Sequence, residues 1–153
     1  MPIAPLLEFA MEARVTIAPA LDIGVTPRGE RRIIPITGGT FEGPRLRGRV
    51  LPGGADWQVI RPDQAAEVEA RYTLETDAGG LIYVVNRGIR HASPEVLQKL
   101  RDGVAVDKSE YYFRTAPVFE TAVPELQWLM RSVFVGDAER FVDHVAISFW
   151  RVV

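Results

Sequence analysis

The chain contains no cysteine. That single absence removes disulfide bonds, thiolate zinc sites, thiol nucleophiles and iron–sulfur clusters. Histidine is almost as scarce. Only His91 and His144 are present, far apart and without the His-x-His or His-x-x-x-His spacing that gathers metal ligands, so no metal site is expected. Long hydrophobic runs are also missing. No segment approaches the roughly 20 apolar residues of a membrane helix. Glu8, Glu12 and Arg14 interrupt the N-terminus where a secretory signal would be apolar. Charge of one sign is lacking as well: 18 Lys and Arg against 20 Asp and Glu give a net charge of -2, with no basic stripe for nucleic acid and no acidic tail. The expectation is a cytoplasmic protein that engages neither membrane nor nucleic acid. No Gly-x-Ser-x-Gly elbow surrounds Ser93, Ser109, Ser132 or Ser148, and no Gly-Lys-Ser/Thr follows the glycines at 38–43, so no cofactor is expected.

What is present is a globular composition, 47% hydrophobic and 25% charged over 153 residues, read as one domain spanning 1–153. Alternation of period two dominates it. Leu7, Phe9, Met11, Ala13, Val15 and Ile17 share one parity, against Glu8, Glu12, Arg14 and Thr16 on the other, which predicts a long half-buried strand. Pro19 and Asp22-Ile23-Gly24 break it. Further strands are predicted at 29–37, 46–51, 57–60, 67–75 and 81–85, the last two joined by the Asp77-Ala78-Gly79-Gly80 turn, and then at 110–121, 133–135 and 145–152. Gly38 to Pro44 reads as a loop or bulged corner. One helix is signalled by Ser93 as N-cap, Pro94 at its first position and Gly103 as its stop, with Val96, Leu97, Leu100 and Val104 forming an apolar stripe. Pro124 to Leu129 predicts a helical turn. Short strands separated by frequent turns indicate an all-β fold, an antiparallel up-and-down β-barrel of about eight strands with one short helix. Closing the first strand onto the last would remove both exposed edges.

Several segments together resemble a known family. They are Gly38-Gly39-Thr40-Phe41-Glu42-Gly43-Pro44, Leu51-Pro52-Gly53-Gly54-Ala55-Asp56-Trp57, Arg71-Tyr72-Thr73-Leu74-Glu75-Thr76-Asp77, Ile82-Tyr83-Val84, Tyr112 through Thr121, and Trp128-Leu129 before Phe134-Val135-Gly136. Their order and spacing resembles the bacterial and fungal family known as domain of unknown function 3237, or uncharacterised protein family 0311. The resemblance spans nearly the whole chain and implies an antiparallel barrel; it implies no chemistry. Two positions depart from it: Gln64 follows Asp63 where glycine is expected, and Met130 follows Leu129 where asparagine is expected.

The residues with the strongest chemistry are Tyr72, which parity places among apolar strand mates, and Arg114 with Glu120, which share parity with Tyr112. A guanidinium offers five donors suited to a carboxylate or enolate. A tyrosine hydroxyl donates to a carbonyl, and a carboxylate in an apolar cavity rises toward base range. Tyr72, Arg114 and Glu120 are therefore the catalytic candidates. Asp56, Trp57, Arg71, Phe113 and Trp128 are the ligand-binding ones. The parity that sends Phe113 inward sends Arg114 outward, and Arg71 shares its parity with Glu67, Glu69 and Glu75. Three functional readings follow. The leading one is a barrel that binds a small acidic or aromatic molecule in its interior or at one mouth. The second is a cofactor-independent isomerase, cyclase or lyase. The third is a non-catalytic module forming a homodimer or higher homo-oligomer through outward apolar faces of the 81–85 and 145–152 strands.

Overall fold

The computed structural model describes residues 1–153. Ten strands form: β1 (Leu7–Ile17), β2 (Leu21–Thr26), β3 (Gly29–Glu42), β4 (Arg47–Val50), β5 (Gly54–Ile60), β6 (Ala66–Thr76), β7 (Leu81–Ala92), β8 (Tyr111–Thr121), β9 (Phe134–Arg140) and β10 (His144–Val152). All belong to one antiparallel sheet that closes on itself. β1 and β2 lie end to end along one side of β3, and β4 and β5 do the same along the other. The ten strands therefore make eight staves in up-and-down order. β10 returns to β1 from Leu7 opposite Val152 to Thr16 opposite His144, so the first strand closes onto the last as the pattern predicted.

The helix α1 (Pro94–Arg101) forms where its caps predicted. Ser93 Oγ accepts from Val96 N at 3.3 Å, and Gly103 takes a φ of +72° after the last turn. Val96, Leu97 and Leu100 are buried, but Val104 is exposed, because the stop at Gly103 turns it off the stripe. Pro124–Met130 is a 3-10 segment.

Four local expectations need correction. A β-bulge between Phe9 and Met11 switches the parity of β1, so Leu7 and Phe9 face outward while Ala10, Met11, Ala13 and Val15 are buried. Asp22-Ile23-Gly24 is a bulge inside β2 rather than a break; Gly24 N donates to Asp22 Oδ1 at 2.9 Å. Gly38 and Gly39 lie within β3, which continues through them at positive φ. β7 and β9 run several residues further than their apolar patterns suggested.

The interior has two halves. One is aromatic and aliphatic: Phe119 packs edge-on against Phe134 at 5.2 Å and Phe149 at 5.5 Å, with Met11, Leu74 and Ile82 fully buried around them. Leu126 and Leu129 of the 3-10 segment complete that end. Each such side chain contributes about 1.5–3 kcal/mol by leaving water. The other half is polar. The outer surface carries ion pairs such as Arg47–Asp77, Arg49–Glu75 and Arg87–Glu69, the inverse of a lipid-facing barrel. No helix is long and apolar enough to cross a membrane.

Candidate functional site

Strand alternation builds the polar half. In β7, Ile82, Val84, Asn86 and Arg90 all point inward and are buried. In β5 the inward pair is Asp56 and Gln58. In β6 the inward residues are Val68, Ala70 and Tyr72, in β8 they are Phe113 and Thr115, and β9 ends on Arg140. Together with apolar residues of β1, β3 and β10, these side chains enclose a cavity of about 60 Å³.

Four polar atoms on residues that line this cavity are left unpartnered by the protein. Five buried side-chain nitrogen or oxygen atoms in the chain have no hydrogen-bond partner: Tyr72 Oη, Asn86 Oδ1, Arg90 Nε, Thr115 Oγ1 and Trp128 Nε1. The first four belong to residues lining the cavity. Each orphaned group costs on the order of 1–3 kcal/mol, so their convergence on one space is not a neutral packing outcome.

Charge is arranged around the same space. Asp56 Oδ1 accepts from Glu69 N at 2.9 Å, and its Oδ2 accepts from Gln58 Nε2 at 3.2 Å. Arg90 and Arg140 act on this carboxylate through charge alone. Burial is the strongest influence on Asp56 and holds its carboxyl above the usual carboxylate range, although those hydrogen bonds and both guanidinium groups pull the other way. Burial, with the like charge of Arg140, pushes Arg90 down to about 9. Arg140 is lowered by burial and by Arg32. The Arg90 guanidinium lies 5.7 Å over the Phe113 ring. Burial also pushes the phenol of Tyr72 up, so Tyr72 acts as a neutral donor. Two cations against one carboxylate give the cavity a net positive character, suited to an anion.

Of the predicted site residues, Tyr72, Asp56 and Phe113 meet here. The others do not join them. Arg114 lies outside the barrel, bonded to Asp137 Oδ1 at 2.8 Å and set over the Tyr112 ring at 5.6 Å. Glu120 is exposed on the same outer face. Arg71 faces outward and donates to Tyr83 Oη at 3.1 Å and Glu69 Oε1 at 2.9 Å. Trp57 is 39% exposed on the outside of β5. Trp128 sits at the opposite, apolar end, 6.0 Å from Phe134 with Arg45 stacked 4.2 Å above it. The triad of Tyr72, Arg114 and Glu120 is thus not assembled, because alternation along β8 puts both charged members on the far side of the wall.

Arg90, Asn86, Gln58 and Arg140 were missed. The signal was available: Asn86 and Arg90 continue the inward parity of Ile82 and Val84, and Gln58 continues that of Asp56. A polar residue on an otherwise buried parity is the mark of an interior site.

The sequence profile of the family described as "Protein of unknown function (DUF3237)" matches residues 5–152. A UPF0311 protein of Rhodopseudomonas palustris is 48% identical over 145 residues, covering 94% of this chain and 93% of that protein. A crystal structure of a conserved protein of unknown function from Rhodopseudomonas palustris superposes with a TM-score of 0.96 at 44% identity, covering all of both chains. That of a beta-barrel like protein from Acinetobacter baumannii gives 0.87 at 42% identity, over 100% of this chain and 99% of the other.

Proposed function

The chain belongs to the DUF3237 family, and from that premise we propose that its barrel binds a small organic anion, with the acid group lodged in the internal cavity against Arg90. The observation that carries this reading is the convergence of Tyr72 Oη, Asn86 Oδ1, Arg90 Nε and Thr115 Oγ1 on one cavity without protein partners. A carboxylate and a carbonyl beside it supply acceptors for the three donors, Tyr72 Oη, Arg90 Nε and Thr115 Oγ1, and a ligand hydroxyl can donate to Asn86 Oδ1.

Size favours an acidic ligand over an aromatic one. A cavity that takes benzene measures about 150 Å³, and this one is about 60 Å³. It holds a carboxylate and a few carbons, and the body of any larger ligand lies toward the mouth. Calorimetric titration with acetate, lactate and pyruvate, each paired with its neutral amide, tests the proposal. Binding of at least one acid is expected to be tenfold or more tighter than its amide. Arg90→Met is expected to weaken it about 10- to 100-fold, the worth of a charge-assisted hydrogen bond of about 1.5–3 kcal/mol. Equal affinity for acid and amide, or no binding, would overturn it.

A further inference from the structure

Resting on that anion-binding reading, we propose that the cavity is a cofactor-independent proton-transfer site for small 2-oxo acids. In this proposal the Asp56 carboxylate takes a proton from the carbon beside the carbonyl and returns it, while Arg90 and the hydroxyls of Tyr72 and Thr115 hold the enolate.

The geometry carries this. Asp56 is the one carboxylate lining the cavity. Its two oxygens are each fixed by one donor, Glu69 N and Gln58 Nε2, which leaves lone pairs on both free to accept. Gln58 is itself buried and takes an Arg32 Nη1 contact at 3.5 Å, so the carboxylate is oriented through a second layer. The charged groups facing Asp56 are Arg90 from β7 and Arg140 from β9, with Arg32 of β3 acting on both guanidinium groups. A structural ion pair would bring a guanidinium against the carboxylate. Here both hydrogen bonds to Asp56 come from other donors, and the opposite charges flank the cavity. A bound oxo acid then has cations and hydroxyls for its oxygens and a fixed base for its carbon.

The step balances without a co-reactant. The C–H bond breaks, its electron pair becomes the carbon–carbon double bond of the enolate, and the carbonyl electrons move onto the oxygen held by Arg90, Tyr72 and Thr115. Asp56 becomes a carboxylic acid. Return of the proton to the same carbon restores the acid; delivery to the enolate oxygen gives the enol. Burial raises the basicity of Asp56 toward what this transfer requires.

Deuterium uptake at the carbon beside the carbonyl of pyruvate, 2-oxobutyrate and 2-oxovalerate in D2O, followed by proton NMR, is the test. The intact protein is expected to exceed buffer, and Asp56→Asn to lose about 100-fold or more of the added rate. Pyruvate affinity in that variant should stay within threefold or tighten, since a negative charge has left the cavity. The wild-type rate should fall as pH falls through the raised titration of Asp56, while affinity for the anion improves over the same span; a merely structural Asp56 would not split the two. A probe that binds yet exchanges no faster than in buffer, an Asp56→Asn protein as fast as wild type, or a wild-type rate flat from about pH 4 to 8 would each overturn the proposal while leaving anion binding intact. Should Asp56→Asn not fold, the wild-type pH profile decides. If none of the probes binds, the anion-binding reading falls first and the proton transfer with it.

Discussion

Gln64 holds a backbone φ of +71°, the sole non-glycine residue of the chain in the left-handed region. Such a residue costs about 1–2 kcal/mol relative to glycine there. The turn from Arg61 to Ala65 enforces it: Gln64 N donates to Arg61 O at 2.9 Å, and Ala65 O accepts from Arg61 N at 2.9 Å. The side chain returns little, one exposed contact from Arg101 Nη2 at 3.2 Å. Gln64→Gly should therefore stabilise the protein by about 1 kcal/mol, once glycine's extra unfolded-state entropy is subtracted. For a chain of this size that is roughly 2–4 °C in Tm by calorimetry; an unchanged or lower Tm would show that the Arg101 contact matters more than the strain. Family resemblance named this position as one where glycine was expected, and the dihedral supplies the reason. Single residues of the cavity were legible to the same degree. Tyr72 and Phe113 could be named because each stands on a readable parity, whereas Asp56 is marked only by its place beside the Gly53-Gly54 turn. Arg90 carries the same parity signal, but it precedes the helix cap Ser93 by three residues and so reads as part of a connector.

At the scale of strands, closure depends on close backbone approach at the β1–β3 seam. A Cβ built on Gly39 would stand 1.9 Å from Arg14 O, and the φ of Gly39 is +131°. Both the clash and the dihedral oppose any side chain. Gly53 separates these causes: its φ is +105°, but nothing lies within 4 Å of its added Cβ. Gly53→Ala should cost about 1–2 kcal/mol, from the dihedral alone. Gly39→Ala should cost about 3 kcal/mol or more, since Arg14 O belongs to the ladder and cannot move aside. Urea unfolding of the two variants measures this difference, and equal costs would show that the seam yields. The same seam explains why the 38–44 segment reads as a loop or bulged corner. Paired glycines mark turns in most sequences, yet Gly38 and Gly39 stand inside β3 and pair with β1, and only Gly43 and Pro44 lie past its end. β7 was cut short for a related reason. Its outward face changes from Leu81 and Tyr83 to Arg87 and His91, which hides an inward face that runs unbroken to Ala92.

The whole molecule is a ring of staves whose final seam joins residues far apart in sequence. Leu6 and Val153 exchange both backbone hydrogen bonds, each at 2.9 Å, at the end of the β1–β10 ladder. That pairing is the one contact set in the barrel that no hairpin makes local, since the other seven seams connect neighbouring staves. Loop-closure entropy therefore falls mainly on β1–β10, and topologies rich in such contacts fold slowly. A circular permutant can remove that separation. Joining Val153 to Leu6 through Asn-Gly would turn the seam into a two-residue hairpin suited to an antiparallel pair. New termini fit at the exposed Asp77–Gly80 turn, where the chain already reverses at the surface. The β6–β7 pairing then becomes the distant one, so average contact separation changes little, and the barrel should persist with a Tm within several degrees of the parent. What should change is the order of events. In the parent chain the long β6–β7 hairpin is local and available to nucleate folding; in the permutant the β1–β10 hairpin takes that role. Substitutions at Tyr72 and Val84, which pair across β6–β7, should slow folding in the parent and mainly speed unfolding in the permutant, as stopped-flow chevrons would show. Identical effects in both chains would mean that the nucleus lies elsewhere, in the aromatic half around Phe119, Phe134 and Phe149, which neither connection disturbs.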